Sequence, residues 1–521
     1  MLKKILELAG FPGLMSQARD IVQTVEKQPA TQAAASLLSW LPGAVDRCNS
    51  HVQKLELLNT VSPSALEIMG SFHRDLMTGE GNLVKTNLLL QNAAPLAAWM
   101  RDQYFMHLHH ALPILQKSGP LPLWGTAVSN YLDWNSNAFI LAFFTPPAPQ
   151  GFDWQKMYPI YEPTKNMLDR QSGKLLSNKG DIHRVQLQKS LSRILLLVRS
   201  LSSDLSGRQT LIAARIVEML HPFLRMSDTH STQTPYGTDI HDVNPPTLLD
   251  GDKPPQADHR LFFGLENALI EIVAIENLLL SQTKMPPKIM VSDSQTTAET
   301  LSVLKHLRNR WSGRQMVRKA NRTPAHTFVE VDYSLPTIRR HLAGEASQTL
   351  GQQSSTRMRA DVEDMSATGY GLQVNQPAAW ATVGSLVAIF PPQSQHWVIG
   401  TIRRILPRPN HKIMVGVQLL ALQPQSLRLY ETAKVSDWEM VTHQNTYSNY
   451  LTIYLPPSPL NSGQASLLTE DRVLAAGRVY RTQFEGETLW LKVQAVLELG
   501  ADYVQYSCTK VDKPMDETPS N

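Results

Sequence analysis

Asp364-Met-Ser-Ala-Thr-Gly-Tyr-Gly-Leu-Gln-Val374 decides how this chain is read. Asp, Ser and Gly at its start are turn formers, each through its own backbone chemistry. Tyr370 to Val374 then alternates as a strand does. Three further apolar runs follow: Val383 to Ile389, Trp397 to Ile402 and Lys412 to Gln418. Pro391-Pro392 and the stretch Pro407 to Asn410 separate them. Short strands at this spacing predict a small β-barrel.

Upstream of the barrel lies a local charge bias. No acid occurs between Glu299 and Glu330, but Lys305, Arg308, Arg310, Arg314, Arg318, Lys319 and Arg322 do. Unneutralised cations at one place favour an anionic partner. A guanidinium pairs bidentately with phosphate, stacks on flat rings and reads the O6 and N7 acceptors of guanine. The other edge of guanine carries N–H donors, which Asp364 could accept. Ser366 can donate or accept. Gly369 could allow close backbone approach or a positive φ.

The two halves, Arg-x-x-x-Arg (Arg314/Arg318 or Arg318/Arg322) and Asp-x-Ser-x-x-Gly (Asp364, Ser366, Gly369), resemble the binding motifs of the PilZ family of bacterial proteins. The strand order is also similar, including Trp397-x-x-Gly400-x-x-Arg403-Arg404 and the closing Val415-Gly-Val417. The resemblance covers roughly residues 313–435. It implies cyclic di-GMP as ligand and a receptor rather than an enzyme, with no further cofactor. By the same resemblance Arg314, Arg318 and Arg322 would hold phosphates and stack on guanine, while Asp364, Ser366 and Gly369 would line the guanine edge.

The family usually separates its half-motifs by one strand and a short turn. Here the intervening text reads as a strand, Thr327 to Val331, a helix from Pro336 to Gly344, and a polar loop from Glu345 to Ser355. An insertion at a hairpin tip accounts for it. Arg357 and Arg359, just before the second motif, are alternative phosphate partners. Two rival functions stay open. One is a degenerate PilZ adaptor that binds protein partners without nucleotide. The other is a nucleic-acid binder using the basic 305–322 segment. Apart from Trp311, that segment lacks the interleaved aromatics of single-strand binders, which counts against the second.

With 521 residues the chain exceeds one compact domain. Its 42% hydrophobic and 18% charged residues fit a soluble globular class, and a net charge of +4 says little beyond the local run. Cys48 and Cys508 form neither a disulfide framework nor a zinc pattern, consistent with a reducing cytoplasm. The start, Met1 to Gly10, reads as a short amphipathic helix rather than a leader. No apolar stretch is long enough to span a membrane.

The expected organisation is multidomain α+β. Residues 1–312 are a mostly helical region of unassigned role, a candidate for binding a protein partner. Residues 313–435 are a PilZ-like small β-barrel, 436–513 a second small β-domain, and 514–521 a disordered tail. Expected helices are Leu14 to Lys27, Ala44 to Asn59, Ser64 to Met77, Leu83 to Gln116 with a break near Pro95, Ala127 to Phe144, a segment around Leu187 to Leu205, Leu261 to Leu280, and Thr300 to Trp311. Proline-rich loops are expected from Pro146 to Ser177 and from Ser227 to His259. In the last region, Tyr450 to Leu455, Leu489 to Ala495 and Asp502 to Thr509 read as strands. His107, His109 and His110 near Asp102, and the loop carrying Asp228, His230, Asp239, His241 and Asp242, contain ligating residue types. Neither has metal-site spacing, and no catalytic motif appears.

Overall fold

A computed structural model describes residues 2–78, 83–118, 121–145, 149, 151–172, 178–239, 246–249, 259–281, 285–312, 322–344, 357–375, 380–392, 394, 396–408, 410, 412–431, 449–461, 463–471, 473–484 and 486–512. The chain is multidomain and mixed α+β, and it divides into two compact units. One comprises most of the residues up to Met316. The other is Val317–Asn521 with two short stretches, Glu80–Leu83 and Ser203–Gly207.

The first unit holds α1 (Leu2–Val25), α2 (Ala30–Asp46), α3 (His51–Thr78), α4 (Leu83–Ser118), α5 (Leu121–Ala142), α6 (Trp154–Ser172), α7 (Asn178–Ser200), α8 (Gly207–Leu220), α9 (Glu266–Ser281) and α10 (Thr297–Trp311). In α3 the buried Leu55, Leu58, Ser62, Ala65, Met69 and Phe72 recur every three or four residues, one face of a helix. Three buried tryptophans find a hydroxyl for the indole N–H: Trp134 to Ser62 (2.9 Å), Trp124 to Thr164 (2.6 Å), Trp311 to Ser200 (3.0 Å). Such pairing removes the cost of burying a donor. In α10 the Thr296 side chain accepts from the Glu299 N–H, Glu299 lies in the first turn and Arg308 and Arg310 in the last. Cap and charges all complement the helix ends.

Several expectations for this unit are corrected. The continuous helix from Ala44 to Asn59 is broken: α2 stops at Asp46, and the Ser50 hydroxyl accepts from the Gln53 N–H (3.2 Å) as α3 begins. The break near Pro95 is absent; α4 runs through Pro95 and Pro113. The loop from Pro146 to Ser177 contains α6, with Pro159 and Pro163 inside it. Trp154, Met157, Tyr158, Tyr161 and Thr164 are buried at helical spacing, so packing of that face overrides the proline penalty. The loop from Ser227 to His259 gives way to a sheet, and the expected helix from Leu261 to Leu280 begins only at Glu266, as α9. The sheet comprises β1 (Arg225–Ser227), β2 (Tyr236–Asp239), β3 (Thr247–Leu248) and β4 (His259–Gly264), in the order β1-β4-β2-β3. The run Leu261-Phe-Phe263 is buried as a strand, a short apolar segment that periodicity alone cannot tell from a helix.

The second unit contains two closed six-stranded barrels. The first has the order β10-β7-β6-β5-β8-β9 and uses β5 (Thr323–Tyr333), β6 (Met358–Ser366), β7 (Gly369–Asn375), β8 (Leu386–Phe390), β9 (Val398–Arg408) and β10 (Lys412–Ala421). A short helix, α11 (Leu335–Leu342), follows β5. The second barrel has the order β11-β12-β13-β16-β15-β14, from β11 (Gln425–Glu431), β12 (Asn449–Leu455), β13 (Ser466–Thr469), β14 (Val479–Phe484), β15 (Glu487–Leu499) and β16 (Val504–Val511). Thus β11, inside the expected 313–435 segment, pairs with β12 and β14 of the second barrel.

Alternation fills each barrel. Val329, Val331, Val362, Leu372, Ile402 and Val415 point into the first; Leu427, Leu429, Leu491, Val493 and Tyr506 into the second. In β15 the alternation from Leu489 to Val493 fails at Ala495, which is exposed, because the register to β16 shifts between Val493 and Ala495. A bulge of this kind moves the following side chains to the other face. β8 is buried on both faces. Val387 and Ile389 enter the first core, while Leu386 and Ala388 pack with Ile399, Ile453, Leu455, Leu468 and Tyr503 in a joint core between the barrels. Double burial explains why Leu386 to Ile389 is apolar without alternation. Across the joint Arg403 grips Glu498 with both terminal nitrogens (2.6 and 2.9 Å), and the Asp502 carboxylate accepts the Leu386 N–H (2.8 Å).

Candidate functional site

The motif Asp364-x-Ser366-x-x-Gly369 is a β-hairpin. Ser366 pairs with Gly369, leaving a two-residue tip, Ala367 and Thr368, between β6 and β7. The Ser366 hydroxyl accepts the Thr368 N–H (3.3 Å) and donates to the Gly369 carbonyl (3.4 Å), which holds the turn. Between Val362 and Asp364 the β6–β7 register shifts. Asp364 emerges half-buried opposite Gly371.

Glycine at 371 follows directly. A Cβ there would lie 2.4 Å from Asp364 Oδ1 and 3.1 Å from Arg322 Nη1. At Gly369 a Cβ would lie 2.3 Å from the Val417 carbonyl of β10, so that glycine serves close strand approach, with a φ outside the left-handed region.

Arg322 immediately precedes β5, whose Thr323 and Pro324 pair with Met365 and Asp364. The antiparallel register therefore carries the arginine to the hairpin, and Arg322 Nη1 donates to Asp364 Oδ1. The pair is one-fifth to one-quarter exposed, at 21% and 25%. A cationic fork and a carboxylate lie side by side, backed by a strand that presents no side chain at 371. Chemically, that combination can accept N–H donors and supply donors to acceptors on one flat polar ligand. Next to it Tyr370 is half-buried, and burial pushes its phenol upward.

The structure thus brings together Arg322, Asp364, Ser366 and Gly369. Arg314 and Arg318 lie outside the described residues. Arg357 and Arg359 stand elsewhere: Arg357 bonds Glu330 (3.4 Å) and lies 5.4 Å over Trp397, and Arg359 covers Phe328 at 3.8 Å. Five residues of strand put Arg359 roughly 17 Å along β6 from Asp364. Gly371 is the member that motif spacing missed; its signal was a second glycine two positions after Gly369, on the same face of a strand.

Other ligating residue types were resolved as follows. His51 joins the His107 group, its Nδ1 3.1 Å from that of His107 and its ring stacked on His110 at 4.9 Å. Asp228 pairs with Lys165, while His241 and Asp242 lie outside the described residues. Among the described residues no group of three or more His, Cys, Asp or Glu side chains is arranged to hold a metal ion, and no helix is long and apolar enough to cross a membrane.

In comparisons with known proteins, no family model matched this sequence and no curated protein matched it.

Proposed function

We propose that this protein is a receptor for cyclic di-GMP, binding it at a PilZ-like first barrel and passing the signal to a protein partner. One observation carries the reading. Arg322 and Asp364, distant in sequence and drawn from the two half-motifs, meet where a Cβ on residue 371 would press on both side chains. In this reading Arg322, with Arg314 and Arg318, holds phosphate and stacks on guanine. Asp364 accepts the N–H groups of the guanine edge. Ser366 and Gly369 keep the hairpin in the geometry that presents Asp364. No step of bond making is involved; the protein acts as a switch, not a catalyst.

The ligand can act only through a difference in affinity between two states. Arg322 directly follows the segment carrying Arg314 and Arg318. A ligand that engages both the arginines of this segment and Asp364 would favour the state in which the two are brought together.

A second reading, the degenerate adaptor, draws on a specific feature: Asp364 is already neutralised by Arg322 and Ser366 is committed to its own turn. Calorimetric titration of cyclic di-GMP into the full chain separates the two. Binding at micromolar or tighter affinity, abolished by Arg318→Ala and by Asp364→Ala, supports the receptor. No binding by the folded wild type, checked by a second assay, supports the adaptor.

A further inference from the structure

A second basic surface lies away from the hairpin, on the outside of the second barrel. There β11, β14 and α11 border a groove of about 520 Å³, within the range that suits a small ligand. Three arginines line it, one from each element: Arg339, Arg428 and Arg481. The strand pattern dictates two of them. In β11, Leu427 and Leu429 turn inward and Arg428 outward; in β14, Tyr480 turns inward and Arg481 outward. Arg481 is directly opposite Tyr430 and covers its ring at 5.8 Å. Arg428 is two positions from Tyr430 on the same face, about 7 Å away along the strand. Arg339 occupies the last turn of α11, where its charge offsets the negative carbonyl end of the helix.

No Asp or Glu is among the described residues lining the groove, and none of the three arginines has an ion-pair partner among the described residues. The neighbouring carboxylate, Glu431, is engaged by Arg478 and by the Tyr450 hydroxyl. Three like charges converging from three elements raise the local potential and favour an anion. The remaining lining is polar: Ser426, Gln483 and Thr488 offer hydroxyl and amide groups.

We propose that this groove binds a phosphate-bearing small molecule of about nucleotide size. Arg428 and Arg481, diagonal neighbours on adjacent strands and separated by roughly 7–8 Å, would hold adjacent phosphoryl groups. Arg339 closes the groove from α11. The site shares no residue with the Arg322–Asp364 hairpin, so it stands whether or not that hairpin binds cyclic di-GMP.

The test uses the full chain carrying Arg322→Ala, which silences the hairpin. Inorganic pyrophosphate and GDP are titrated separately by calorimetry, with a single-stranded oligonucleotide as a third probe. The expected result is saturable binding of pyrophosphate or GDP, weakened tenfold or more by Arg428→Gln/Arg481→Gln, as loss of charge-assisted phosphate contacts requires. Arg339→Gln should weaken it independently. All three sites are on the surface, so an unchanged unfolding midpoint would separate a binding defect from misfolding. Binding that all variants retain would overturn the proposal. So would the absence of pyrophosphate and GDP binding, or binding of the oligonucleotide alone.

Discussion

Replacing Gly371 with alanine should cripple ligand binding while leaving the protein folded. The added Cβ would fall 2.4 Å from Asp364 Oδ1, 3.0 Å from its Cγ and 3.1 Å from Arg322 Nη1. An ordinary contact with carbon is about 3.5 Å, so the carboxylate must withdraw by roughly 1 Å. It can do so, being the far end of a side chain that is one-quarter exposed. Leaving its rotamer costs about 0.5–1.5 kcal/mol, and loss of the partly exposed pair with Arg322 costs about 0.2–1 kcal/mol. Alanine in a strand returns about 0.5–1 kcal/mol relative to glycine. The net change in stability is therefore within about 2 kcal/mol. A displaced carboxylate, however, forfeits hydrogen bonds to guanine worth about 1.5–3 kcal/mol, or roughly tenfold to more than a hundredfold in affinity. Urea unfolding and cyclic di-GMP calorimetry on Gly371→Ala, Asp364→Ala and the double variant measure both quantities. Without the Asp364 carboxylate, the same glycine change should become neutral or stabilising. Wild-type affinity in Gly371→Ala, or an identical stability change in both backgrounds, would refute the contact geometry.

Three further outcomes are expected. Lost hydration pushes the half-buried Asp502 carboxyl up to about 7; between the unfolded value near 4 and that value the folded state holds the extra proton, so stability falls as pH rises, by at most about 1.4 kcal/mol per unit. Urea midpoints from pH 4.5 to 7.5 should show that slope in the wild type and lose it in Asp502→Asn, and an unchanged slope would count against the assignment. Burial, then the charges of Lys54, His51 and His110, push His107 down to about 4. The unfolded chain then binds the extra proton between about 4 and 6.5, so the helical unit should lose stability as pH drops through that window, and His107→Gln should flatten the loss seen by helical circular dichroism. Removing Arg403 alone strands Glu498 at the joint between the barrels and should cost roughly 1–3 kcal/mol, between the values for exposed and buried pairs; Arg403→Met/Glu498→Leu should recover most of it in thermal unfolding, and an additive loss would contradict the pairing.

What could be read in the sequence follows from which signals are local. The hairpin at Asp364 to Gly369 was legible because turn chemistry acts within a few residues, and the strands after it because alternation is a property of one segment. The α+β arrangement, helices first and strands after, followed from the same periodicities. Pro159 and Pro163 spoke for a loop, but the buried aromatic face of α6 outweighed them, and burial is decided by distant partners. Likewise Leu261 to Gly264 joined a strand only because β1 and β2 flank it. The meeting of Arg322 with Asp364 depends on the β5–β6 register, and the need for Gly371 on both at once. The groove formed by Arg339, Arg428 and Arg481 depends on three elements and had no sequence signature.

The doubly buried β8 also bears on how this chain can change over generations. A domain whose outer face is polar can be gained, lost or exchanged as a cassette. The two barrels here cannot be, because Leu386, Ala388 and Ile399 of one are finished by Ile453, Leu455 and Leu468 of the other. A chain ending at Glu431 would leave that apolar wall in water, a surface prone to association. The pair is one heritable module, and substitutions on either side of the joint must be accepted together or compensated across it.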